Sequence, residues 1–258
     1  MLTKVYKKRE KMLIIATIIF FVAQLVNGLF IQMSSGALWS ALCFGGVTSA
    51  FLFSLVLFNK SYDWLFCAFG LFFTVVADWF LVVLDPIMEL PAMFVFNVVQ
   101  IMYFIRIFRT HEKAHNKTLP IGKIGIAHIS VRLIAVVTAL IACAAVLGDD
   151  VDLLSMISLF YYANLLCNVV FSFVEFRKNP CFAIGLLCFA LCDLFVGIGM
   201  VEEYFTVLPG SLIYELTYTE LNLMWIFYVP SYTLISISAG KIGNTPLVTD
   251  DMHGFRNR

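Results

Sequence analysis

Two aspartates are the residues whose type and setting point most directly to chemistry. Asp78 stands in "FTVVADWFLVVL" (73–84) and Asp193 in "CFALCDLFVGIG" (188–199), with no basic residue in either stretch. An ionisable side chain inside an apolar span is costly and by default marks a functional site. Desolvation disfavours the charged form of a carboxyl, and two neighbouring carboxyls tend to hold one proton between them. Such a pair can serve as general acid and general base near neutral pH. That chemistry suits hydrolysis of an acid-labile bond by water. The bland alternative is a pair of protonated acids that hydrogen-bond between packed helices.

Other reaction classes lack their parts. His111, His115 and His128 fall on or beside one polar connection and His253 in the C-terminal tail, so no histidine accompanies the acids for a zinc hydrolase site. His111 and His115 have metal-ligand spacing, but a solvated loop is the simpler reading. The sequence contains neither a Gly-x-Ser-x-Gly elbow nor a Gly-x-x-x-x-Gly-Lys phosphate loop. The seven cysteines are odd in number and lack a Cys-x-x-Cys pair, which argues for packing over a disulfide framework. No metal, cofactor or nucleic-acid partner is expected. Gly45 and Gly46 suggest close helix packing. Arg106 and Arg132 are expected to snorkel from helix ends, with a lipid-phosphate contact as the lesser reading.

The elements that must position the acids are membrane helices. Of the residues, 61% are hydrophobic and 13% charged, against about 45–50% and about 25% in ordinary globular domains. Apolar windows near the roughly 20 residues needed to cross a bilayer occur at about 12–32, 37–58, 64–84, 91–108, 129–148, 152–174, 180–201 and 222–240. They do not alternate as barrel strands would, and helices satisfy their own backbone in lipid. The expected fold is therefore an all-α polytopic bundle of eight transmembrane helices in one integral-membrane domain.

Charge sets the expected orientation. Lys4, Lys7, Lys8, Arg9 and Lys11 precede the first span. Lys60, then Arg109, Lys113, Lys117 and Lys123, then Arg177 and Lys178 occupy the even connections, and Lys241, Arg256 and Arg258 the tail. The odd connections hold only acids: Asp85 and Glu89; Asp149, Asp150 and Asp152; Glu202, Glu203, Glu215 and Glu220. Both termini are accordingly expected in the cytoplasm, in a cell-membrane protein. The first span carries no cleavage signature and reads as a retained helix.

The segments "AFGLFFTVVADWF" (68–80) and "AIGLLCFALCDLF" (183–195) align with their aspartates 115 positions apart, each in the third span of a four-span half. A parallel four-plus-four duplication follows, with half-repeats at about 12–108 and 129–240, a solvated linker at about 109–128 and a tail at 241–258. Each acid lies about 13–14 residues into its helix, roughly 20 Å from the cytoplasmic end. Near that level stand Gln24 and Asn27, Asn97 and Gln100 followed by Tyr103, Tyr161, Tyr162, Asn164 and Asn168, and Tyr228, Ser231, Tyr232 and Ser236. Asn97 with Gln100, and Asn164 with Asn168, each share a helix face. Polar residues at one level are expected to face a shared interior cavity. The outer connection before the eighth span is expected either to cover that cavity or to be a surface loop.

These residues resemble the lysoplasmalogenase-like membrane proteins (the YhhN type), which have about eight helices. The matches are Ala77-Asp78-Trp79-Phe80-Leu81 in the third helix and Cys192-Asp193-Leu194-Phe195-Val196-Gly197 in the seventh. Gln100 stands where that family typically has His, before the matching Tyr103. The resemblance implies hydrolysis of the vinyl-ether bond of a lysoplasmalogen to a fatty aldehyde and a glycerophospho-base. Asp78 and Asp193 are then the expected catalytic residues. Asn97, Gln100, Tyr103, Asn164, Asn168 and Tyr232 are candidates for binding a lysophospholipid substrate. A non-catalytic lipid-binding or proton-coupled transport protein using the same acids is the alternative.

Overall fold

The computed structural model describes residues 2–59, 61–115, 121–200, 205–217, 219 and 221–240, with the side chains of 2–9, 112–115 and 121–124 excepted. Lys60, Lys117, Glu202, Glu203, Glu220 and the tail at 241–258 lie outside the described residues. So do the side chains of Lys4, Lys7, Lys8, Arg9, Lys113, His115 and Lys123.

Every regular element among the described residues is helical: α1 (Leu2–Met33), α2 (Gly36–Val56), α3 (Tyr62–Asp78), α4 (Glu89–His115), α5 (Ile121–Leu147), α6 (Leu153–Val174), α7 (Pro180–Met200), α8 (Leu212–Thr217) and α9 (Leu223–Ser238). A π-turn over Trp79–Val83 extends α3, and a short 3₁₀ turn over Gly148–Asp150 closes α5. Polar side chains start several helices where backbone N–H groups would otherwise be orphaned. Ser61 accepts from the Trp64 N–H at 3.0 Å. Asp152 and Ser155 form a reciprocal capping box.

Seven of the described helices are long and apolar enough to cross a membrane. Their outer faces are greasy: Ile18, Ile19 and Leu29 on α1 and Ile134, Ile141 and Val146 on α5 are exposed. A soluble protein rarely tolerates so continuous an apolar surface. The chain is thus an all-helical bundle with the make-up of a multi-pass membrane protein.

The expected eighth span differs in kind. Helix α9 has only 16 residues, about 24 Å of rise, short of a full hydrocarbon crossing. Its place explains the length. It packs against α1, α2, α3 and α7, and Trp225, Tyr228, Val229, Tyr232 and Ile235 are all buried. Neighbouring helices surround it, so its composition answers to them as well as to lipid. Pro230 inside α9 removes one backbone donor, which packed membrane helices accommodate.

The remaining packing is between neighbours. Helix α3 lies along α4, and α7 along α9; α2 meets α3, and α6 meets α7; α4 touches α6, and α2 touches α9. Glycine permits three close approaches, at Gly46 against the Tyr232 hydroxyl and the Asn27 amide, at Gly70 and at Gly185. A Cβ on Gly70 would stand 2.2 Å from Cε1 of Tyr103 in α4. One on Gly185 would stand 2.9 Å from Cγ1 of Ile235 and 3.1 Å from its backbone N. No larger residue fits any of these places without movement.

Most of the connection expected at 109–128 is helix: α4 continues to His115 and α5 begins at Ile121. His128, expected in or beside a solvated loop, is 1% exposed. It stacks on Phe171 at 3.8 Å between ring centroids, and aromatic neighbours shield it from solvent.

Candidate functional site

Asp78 is the last α-helical residue before the π-turn, which Leu84 N–H closes onto the Trp79 carbonyl at 3.2 Å. Such turns collect at functional sites, because the extra residue re-aims the side chains around it. Asp78 is only 3% exposed. The Tyr228 hydroxyl of α9 donates to its Oδ1 and Oδ2, both at 2.8 Å.

Asp193 sits in α7, half-buried, and the Tyr161 hydroxyl of α6 donates to its Oδ2. Neither acid has a Lys, Arg or His partner among the described residues. Each is instead held by one buried phenol, which can donate to a carboxylate and accept from a carboxylic acid.

Aromatic rings join the two pairs. Tyr228 lies 5.7 Å from Phe189, Phe189 lies 5.9 Å from Phe96, and Phe96 lies 5.6 Å from Tyr161, between centroids. A pair of acids held by phenols in an apolar, aromatic setting can deliver and recover protons without bulk water.

The six candidate binding residues fall into three places. Asn168 is fully buried; its amide donates to the Gln100 carbonyl oxygen at 3.1 Å and to Gln100 Oε1 at 2.8 Å. Its Oδ1 accepts from Arg132 Nη2 at 2.5 Å. Asn164 accepts from Arg132 Nη1 at 3.4 Å and donates to the Phe160 carbonyl at 2.9 Å. Asn97, Gln100, Asn164 and Arg132 share a cleft of about 90 Å³ between α4, α5 and α6. Asn168 forms part of the network that orients them.

Tyr103 lies elsewhere, buried against Gly70 and edge-on to Phe182 at 5.5 Å. Tyr232 belongs to a third group: its hydroxyl donates to Gln24 Oε1 at 3.3 Å, while its ring meets Tyr228 at 5.4 Å. Tyr232 is thus the candidate binding residue whose ring touches the tyrosine holding an acid. Neither acid lines this cleft or the second one, which is formed by Arg106, Ser172, Glu175 and Phe182 with their neighbours.

Sequence reasoning placed Tyr161 and Tyr228 at the right level but did not pair them with the acids. Tyr228 lies 150 positions from Asp78, and Tyr161 lies 32 positions from Asp193 on the preceding helix, so only packing reveals either match. The two arginines differ from expectation more sharply. Arg106 is 1% exposed, not snorkelling. Its Nε and Nη2 donate to the two carboxylate oxygens of Asp63 at 2.9 and 3.0 Å. Its Nη1 and Nη2 reach the Ser238 hydroxyl and carbonyl at 2.8 and 2.9 Å. Arg132 is 9% exposed and turns inward because Asn164 and Asn168 supply its acceptors.

Among the described residues no cluster of three or more His, Cys, Asp or Glu could hold a metal ion. His111 instead meets His128 ring to ring, Nδ1 to Nε2 at 3.1 Å. No family model, curated protein or solved structure matches this chain. The functional reading rests on the residues themselves.

Proposed function

We propose that this protein is an intramembrane lipid hydrolase that cleaves the vinyl-ether bond of lysoplasmalogens, with Asp78 and Asp193 as its acid–base pair. One observation carries the reading: two intramembrane carboxyls without cationic partners among the described residues are each held by a buried phenol, Tyr228 on Asp78 and Tyr161 on Asp193. The sequence resemblance of the two aspartate segments to lysoplasmalogenase-like proteins supplies the substrate class.

In the proposed reaction one carboxylic acid gives its proton to the vinyl carbon distal to oxygen, leaving an oxocarbenium ion. The other carboxylate stabilises that cation and orients water. Water adds to the cationic carbon and loses a proton to carboxylate. The hemiacetal then collapses, its hydroxyl proton passing to the departing glycerol oxygen, to give fatty aldehyde and glycerophospho-base. Both phenols keep the carboxyls oriented while protonation changes. Gln100, at the position where the family has His, is an amide that does not titrate, so proton transfer in this chain falls to the Asp–Tyr pairs.

The same reading takes the chain as a parallel duplication in the cell membrane, with both termini cytoplasmic. Support comes from the paired packing: α3 on α4 matches α7 on α9, α2 on α3 matches α6 on α7, and α2 on α9 matches α6 on α4. Gly70 and Gly185, equivalent in the aligned segments, each receive the following long helix of their half. The segregation of Lys and Arg to even connections supports the orientation.

The test is incubation of purified protein with 1-alkenyl, 1-alkyl and 1-acyl lysophospholipids, monitored for aldehyde. The 1-alkenyl lipid alone should release it. Uptake of lipid or protons without any product would instead favour the carrier reading.

A further inference from the structure

The cleft between α4, α5 and α6 has bonding capacity that the protein does not use. Arg132 has no carboxylate partner among the described residues, and its Nε is buried without a hydrogen bond. Gln100, 2% exposed, leaves Nε2 unpartnered. Asn97 leaves Oδ1 unpartnered, its amide nitrogen being occupied by the Met93 carbonyl at 2.9 Å.

The network fixes these orientations. Asn168 donates to Gln100 Oε1, so the free atom of Gln100 is its NH₂. The cleft therefore offers two donors without a partner, the Nε–H of a guanidinium whose Nη atoms already bond Asn164 and Asn168 and the Gln100 NH₂, with one free acceptor beside them. Buried polar groups left in this state are costly and need an external partner.

Position narrows the partner. Arg132 lies about two helical turns from Gly125 at the start of the α5 span. Ile101 and Phe160, which flank the polar groups, are 51% and 42% exposed. The mouth thus opens on the lateral, lipid-facing surface of the bundle. A space of about 90 Å³ exceeds what one water molecule requires.

We propose that this cleft binds the phosphate of a membrane lysophospholipid, with Arg132 and Gln100 donating to the oxyanion and Asn97 accepting from the adjacent free glycerol hydroxyl. A guanidinium fork suits phosphate, and the acceptor distinguishes a lipid with a free hydroxyl from its capped counterpart. Phosphate chemistry is common to lipid and inorganic phosphate, but the lateral mouth and the unpaired acceptor favour the lipid. This assignment deepens the hydrolase reading by supplying the head-group end of its substrate. It is tested by binding alone, with a lipid that has no vinyl ether.

The test uses the full chain in a phosphate-free maltoside detergent and native mass spectrometry. Probes are a 1-alkyl lysophosphatidylcholine, its 2-O-methyl counterpart, a 1-alkylglycerol without phosphate, and inorganic phosphate. The lysolipid should bind about tenfold more tightly than its 2-O-methyl form, and Asn97→Leu should erase that difference by removing the hydroxyl acceptor. Arg132→Gln should weaken the lysolipid at least about tenfold while leaving the alkylglycerol unchanged. Asp78→Asn should retain lysolipid binding, which separates this assignment from the catalytic one.

Among the described residues Asn97 bonds only within its own helix, so Asn97→Leu remains informative even if Arg132→Gln fails to fold. Equal binding of lysolipid and 2-O-methyl lipid, or equal binding of lysolipid and alkylglycerol, would overturn the proposal. Inorganic phosphate binding as tightly as the lysolipid would overturn the lipid as its source.

Discussion

Replacing Arg106 with Met should loosen the bundle measurably, because that guanidinium joins three helices. It makes two bonds to Asp63 of α3 and two to Ser238 of α9, from α4. It also lies 4.1 Å over the Phe182 ring of α7. Removing one partner of a buried ion pair costs about 3–5 kcal/mol. Asp63 is 28% exposed on its side chain and can recover some hydration, which lowers the expected loss to about 2–3 kcal/mol. Met retains much of the apolar stem, so the loss reports the polar contacts more than a cavity.

The assay is thermal unfolding in detergent, where a change of that size should lower Tm by roughly 5–10 °C. A double-mutant cycle with Asp63→Asn isolates the pair. The combined variant should lose clearly less than the sum of the two single losses, since the contact removed by the first change is no longer there for the second to remove. An Arg106→Met protein melting within about 1 °C of wild type, or strictly additive losses, would refute the reasoning.

Three further outcomes follow from particular contacts. Gly70→Ala and Gly185→Ala should each lower stability by about 1–2 kcal/mol, overpacking outweighing the gain in helix propensity. Gly197→Ala, whose Cβ would meet nothing within 4 Å, should not destabilise; comparing their melting curves checks the claim. Tyr228→Phe should reduce the rate of aldehyde release about 10- to 100-fold while leaving lysolipid affinity unchanged, as loss of a hydrogen bond to a charged group implies. Steady-state kinetics beside the binding assay separate the two effects. Asp152, whose carboxyl is held below the usual range by hydrogen bonds from the Ser155 backbone and hydroxyl, caps α6. Its stabilisation should be present above about pH 4 and fade as pH falls through the depressed folded value. Asp152→Ala should cost about 1 kcal/mol at neutral pH and less in acid, as read from Tm against pH.

The sequence made the helices legible because lipid imposes one rule on every span: apolar length with internal backbone bonding. Helix α9 escaped full reading because it is sheltered by other helices, so its sixteen residues need not match the bilayer alone. Asp78 and Asp193 were visible because an acid among apolar residues stands out in any register. Their tyrosines were not assigned, since Tyr228 lies 150 positions from Asp78 and no local spacing encodes that contact. Arg132 was misread for a related reason. An arginine near a helix end ordinarily reaches for water, and only the packing of α5 on α6 presents Asn164 and Asn168 in its place.

The most direct test of the central claim is hydrolysis of a 1-alkenyl lysophospholipid in D₂O, with the aldehyde trapped as it forms. Protonation of the vinyl carbon by a solvent-exchanged carboxyl should place one deuterium on the carbon next to the aldehyde. Asp78→Asn and Asp193→Asn proteins, folded as judged by their melting curves, should release essentially none. Aldehyde free of deuterium, or release at the wild-type rate from either variant, would contradict the account.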